Sequence, residues 1–194
     1  AWGADAGGRT FSINDFDFTG NVLVSSATTV TISNAGAPAA GNIVYNTTDR
    51  ILTGFRLDPS ALISFTQVSI STSGTATTSD FNNFRLIHDA DEDGAYDLGE
   101  TVLATVANLS GSMVFNSFST AQSFSVARNY LIVADALASA TDGRTLTASI
   151  TSATHVVSDA VETGTASGNA QTTHAPEIGL EGNSTAIADG DNTP

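Results

Sequence analysis

Six of the twelve residues from Asp89 to Glu100 carry carboxylates, and their spacing suits the caging of a cation. Asp89, Asp91, Asp93, Asp97 and Glu100 fall at positions 1, 3, 5, 9 and 12 of the stretch, with Gly94 at position 6. Calcium takes about six to eight oxygen ligands at about 2.3 to 2.6 Å, and alternate side chains on a tightly turning loop deliver them. On this spacing Asp89, Asp91 and Asp93 are expected as side-chain ligands and Ala95 as a carbonyl donor. Asp97 is expected as a direct or water-bridged ligand and Glu100 as a bidentate one, while Gly94 permits the backbone to reverse. The bland alternative is an acidic surface turn, because Asp and Gly are common in turns anyway. So many like charges within a few ångströms repel one another even in water, and Ca2+ removes that repulsion.

Little else in the chain has the spacing of a reactive centre. Asp15 with Asp17, and Asp189 with Asp191, are carboxylates two apart that fit part of a second calcium site or a solvated turn. His88, His155 and His174 are far apart and share no ligand spacing, and alternation groups His88 with Phe84 and Leu86 as a packed residue. Neither a G-x-S-x-G elbow nor an H-E-x-x-H pair occurs, so no enzymatic activity is expected. Trp2, the only tryptophan, fits a partner anchor or a sugar-stacking residue equally well.

Strands must position these groups. Short runs rich in Thr, Val, Ile, Phe and Ala are punctuated by Gly, Asn, Asp and Ser, and helical periodicity is almost absent. Alternation is clearest in Thr66–Ser71 and Thr145–Ile150, which predicts half-buried strands of antiparallel sheets. Further strands are expected at 10–13, 22–25, 28–33, 43–45, 51–57, 84–88, 102–106, 112–115 and 130–134. The fold expected is all-β, an antiparallel sandwich of immunoglobulin-like or jelly-roll-like type over residues 1–160. Phe11, Phe16 and Phe18 read as a core-edge cluster or an assembly surface. The stretch 161–176, rich in Gly, Ala, Ser and Thr, reads as a flexible linker. Beyond it, residues 177–194 form a strand-like tail in which Ile178 and Leu180 alternate with Gly179 and Glu181, too short for a domain and expected to dock on a partner.

Composition narrows the function classes. The 194 residues are 41% hydrophobic, enough to bury a core. Six Arg, no Lys and a formal net charge of -14 argue against nucleic acid and against an anionic membrane surface. No apolar run approaches the roughly 18 residues that span a bilayer. Cysteine is absent, so neither disulfides nor thiolate-bound zinc hold the fold. Ala1-Trp2-Gly3-Ala4 lacks the regions of a signal peptide, as a processed N-terminus would.

The acidic loop resembles an EF-hand loop, but its flanks, Phe84–His88 and Thr101–Ala104, read as strands rather than helices. The segment from Ile51–Phe55 through Ser69–Ala76 and Phe84–Leu86 to Leu131–Asp135 is similar to β-sandwich modules of large secreted bacterial surface proteins, in which such a loop joins two strands. The tail, Glu177–Asn183 with Ile187–Pro194, resembles the opening strand of a choice-of-anchor type module, and the chain ends where that second module is expected. The resemblance implies an extracellular or cell-surface protein. Two functions are expected from this. One is a calcium-stabilised structural subunit of a filament or surface assembly, a homo-oligomer or polymer joined through terminal strands at Ile178 and Leu180. The other is an adhesive or polysaccharide-binding module, with a glycan as partner.

Overall fold

The computed structural model describes residues 26–176, which form two mixed β-sheets packed face to face as an all-β sandwich. From edge to edge, the first sheet contains β12 (Val161–Gly164), β1 (Thr29–Asn34), β3 (Thr47–Pro59), β9 (Arg128–Ala136), β5 (Phe81–Asp89) and β6 (Thr101–Asn108). The second is built around β4 (Ile63–Gly74). On one side β4 pairs with β10 (Thr145–Ile150) and β11 (Val156–Ser158), and on the other with β7 (Ser112–Phe115) and β8 (Gln122–Phe124). Beyond β10 lie β13 (Ala166–Ser167), β14 (Gln171–His174) and β2 (Gly41–Val44).

Period-two alternation creates the interface between the sheets. In β10 every second residue, Leu146, Ala148 and Ile150, is buried, and β4 sends Ile63, Phe65, Val68 and Ile70 inward. Tyr130 sits at the centre. Its ring stacks on Phe55 of its own sheet at 5.3 Å and meets the edge of Phe65 from the opposite sheet at 5.3 Å. Its hydroxyl donates to Gln122 Oε1 at 3.2 Å, so this deeply buried polar group is satisfied. Fully burying each such side chain stabilises the fold by about 1.5 to 3 kcal/mol.

Two expectations need amendment. The sheets are not purely antiparallel, because β1 runs parallel to β12 and β2 runs parallel to β14. The segment from Val161 to Thr173 is not a loop or linker. It holds β12, β13 and most of β14, each hydrogen-bonded into one of the two sheets. Backbone pairing recruits these residues, with Ala166, Gln171 and Thr173 as the only buried anchors. The expected strands at 10–13 and 22–25, and the Phe11, Phe16 and Phe18 cluster, lie outside the described residues.

Candidate metal centre

The acidic loop connects β5 to β6 across a pair of residues in register, His88 and Thr101. Asp89 is the last residue of β5 and is paired with Asn129 of β9, so the first carboxylate is anchored in the sheet itself. Residues 90–100 then turn back over the outer face of the first sheet. Gly94, at φ +78°, makes the reversal and presses on Gly36 of the β1–β2 connection. A Cβ at Gly36 would stand 2.8 Å from the Gly94 Cα, so glycine is needed for this close approach as well as for the turn.

Asp89, Asp91 and Asp93 converge, with one carboxylate oxygen from each lying within 4.8 Å of the others. Such a set of hard oxygen donors can hold a metal ion. Asp89 is only 1% exposed. Its Oδ2 accepts the Gly94 N–H at 3.1 Å, while its Oδ1 is buried with no hydrogen-bond partner. A buried carboxylate oxygen without a partner is costly, and a cation among the three carboxylates would satisfy it. Burial pushes the Asp89 carboxyl above its ordinary value, the N–H groups of Gly94 and Glu92 oppose the rise, and the charges of Asp91 and Asp93 add to it.

The remaining expected ligands are placed differently. Glu100 uses both oxygens inside the loop, Oε1 accepting the Ala90 N–H at 2.9 Å and Oε2 the Asp97 N–H at 3.2 Å. Burial raises its carboxyl too, against those two N–H groups. Ala95 donates its N–H to Asp93 Oδ1 at 2.7 Å. Asp97 stands apart from the triad and lines a cleft of about 260 Å³ with Asp49, Tyr96, Leu98 and Gly99. Asp15, Asp17, Asp189, Asp191, Ile178 and Leu180 lie outside the described residues.

The sequence reading missed what lies beneath the loop. Ile87, Leu131 and Val133 are fully buried on the outer face of the sheet and form a small cluster of their own, with Ile51, Tyr96 and Val102 packed against it. Glu92, at φ +62°, reaches across to Arg56 of β3 at 2.9 Å, and the same guanidinium donates to Asn129 Oδ1 at 3.1 Å. A signal for this second layer was present: Tyr130–Ala134 is an unbroken apolar run, as in a strand covered on both faces. His88 packs against the Tyr130 ring at 5.5 Å, and burial holds its imidazole below the ordinary value, with the Arg128 charge adding to the effect and Asp89 and Glu92 opposing it. Compared with known protein families and with curated proteins, the sequence matches none.

Proposed function

We propose that this chain is a calcium-stabilised structural module of an extracellular assembly. The observation that carries the calcium reading is the buried, unpartnered Oδ1 of Asp89, on a carboxylate that converges with two further aspartates. The donors are all carboxylate oxygens on a hairpin loop, which suits a hard cation of flexible coordination better than zinc or copper. Glu100 and the Ala95 carbonyl are the ligands that join the triad when the ion binds. Extracellular calcium sites commonly work at Kd near 10⁻⁴ to 10⁻³ M, which fits a loop with three converging carboxylates and a solvent-facing side.

A structural role is favoured over sugar binding. Among the described residues every Phe and Tyr is buried or half-buried, so this part of the chain offers no aromatic platform for a glycan. Alternation at Ile178 and Leu180 supports strand addition to a neighbouring copy. The test is thermal unfolding of the purified chain in calcium and in chelator. At a hundredfold excess over Kd, calcium adds about 2.7 kcal/mol, so the melting temperature rises measurably. Identical curves, with no calcium found by elemental analysis, overturn the reading.

A further inference from the structure

We propose that the acidic loop is a cation-latched lid over an apolar face of the first sheet: losing calcium lifts Tyr96 and bares Ile87 and Val133 while the sandwich stays folded, Leu131 remaining under Gly36. This rests on the calcium reading above. The loop touches the rest of the molecule at few places. Gly94 lies on Gly36, Tyr96 packs on the small apolar cluster, and Glu92 pairs with Arg56. That ion pair is solvent-exposed on both partners and therefore weak. The other bonds of Asp91, Asp93 and Glu100 are made within the loop and do not tie it down.

What opposes closure is electrostatic. Without a cation, seating the lid leaves Asp89 Oδ1 buried and unpaired beside Asp91 and Asp93. Asp91 and Asp93 are exposed already, and lifting the loop gives the Asp89 carboxylate back to water as well. What survives the opening is the main core, since Ile132, Tyr130, Phe84 and Leu86 belong to the cluster between the sheets, separate from the one under the loop. The β5–β9 ladder, from Arg85 opposite Val133 to Asp89 opposite Asn129, is likewise made without the loop. The small apolar layer is thus the one part of the packing whose cover depends on the ion.

The chain has no cysteine, so Val133→Cys introduces a single thiol under the lid and Ile132→Cys a single thiol in the main core. Each full-length variant is treated with a thiol-reactive maleimide in calcium and in chelator, and calcium binding is followed separately by titration calorimetry. The expected result is that Val133→Cys reacts about tenfold or more faster in chelator, the factor that an unsatisfied buried acceptor corresponds to. Ile132→Cys stays slow in both. If calcium binds but the Val133→Cys rate is the same in both buffers, the lid is overturned and the calcium reading stands. If both thiols open together in chelator, the sandwich unfolds as one body and the lid is again overturned. If calorimetry shows no binding, the calcium reading fails and the latch with it. The unaltered chain supplies a check free of packing defects: fluorescence of an apolar dye rises in chelator while the far-ultraviolet dichroism holds, and a flat dye signal overturns the lid.

Discussion

At the scale of single residues, Asp89 acts in opposite directions with and without the ion. Asp89→Asn keeps one oxygen to accept the Gly94 N–H and turns an amide N–H toward the carboxylates of Asp91 and Asp93, removing the buried charge. In chelator its melting temperature is expected to equal or exceed that of the unaltered chain, while the rise on adding calcium disappears; a retained rise excludes Asp89 as a ligand. Glu100→Gln behaves differently, because the carboxylate also ties Ala90 to Asp97 and an amide can accept only one of those two N–H groups well. It should lose calcium stabilisation more fully than Asp97→Asn. It should also melt lower in chelator by about 2 to 4 °C, the equivalent of about 1 kcal/mol in a chain this size. Away from the loop, acid sensitivity falls to Asp80 and Asp135. Burial would raise the Asp80 carboxyl, but the N–H groups of Thr141 and Thr77, the Thr77 hydroxyl and the Arg144 charge outweigh it and hold it below 3.8. Asp135 is half-buried; burial would raise its carboxyl too, but Asn83, the Asp49 N–H and Arg85 hold it low. A folded-state pKa below the unfolded value means stability that is present above that value and lost as pH falls through the folded one. Denaturant midpoints measured in chelator should therefore drop steeply below about pH 4. In Asp80→Asn the drop should be shallower, at a cost of about 1 to 3 kcal/mol near neutrality.

At the scale of elements, the β5–β6 hairpin is held open for its long loop by pairing at both ends and by the glycine contact at its crest. Gly94→Ala places a Cβ 2.9 Å from the Gly36 Cα in a backbone that already sits at φ +78°. A cost of about 1 to 3 kcal/mol is expected in calcium and chelator alike, read as a lowered melting temperature in both. A loss confined to calcium would show that the glycine serves ligand geometry alone. The same hairpin shows which elements could be read in advance. Strands that alternate cleanly, such as Thr145–Ile150 and Ser112–Phe115, have the bounds that side-chain periodicity predicts. Strands such as Thr47–Pro59 run well past the apolar stretch Ile51–Leu57, because polar residues at their ends still pair through the backbone. Gln122–Phe124, Val156–Ser158 and the three strands after Val161 gave no warning. They are short or rich in Ser, Thr, Gly and Ala, and what holds them is a neighbouring edge rather than their own pattern. The aspartate triad was legible because it is local in sequence. The apolar layer beneath it depends on residues from β3, β5, β6 and β9 meeting in space, which spacing along one chain does not express.

At the scale of the whole molecule, the C-terminal strands close the sandwich, which changes where a joining segment could begin. β12 covers the edge of β1, β13 and β14 extend β10, and among the described residues β14 is the only strand that pairs with β2. The Ala175 N–H still donates to Asp142 Oδ1, so the chain is tied to the fold up to that point. An arm for strand addition would therefore start after residue 176 and not at 161, and its 18 residues, fully extended, span at most about 60 Å. Two truncations separate folding from assembly. A chain ending at residue 160 removes β12, β13 and β14, leaves β2 without a partner and opens the edges of β1 and β10. It is expected to lose cooperative unfolding altogether. A chain ending at residue 176 keeps every described strand of both sheets and should melt within a few degrees of the full-length protein. If Ile178 and Leu180 join one copy to the next, full-length material forms large particles by light scattering and negative-stain imaging, while the 176-residue chain stays monomeric at the same concentration. Particles of unchanged size after that cut would overturn strand addition by the tail. A 176-residue chain that is itself unstable would mean that the tail caps its own sandwich instead.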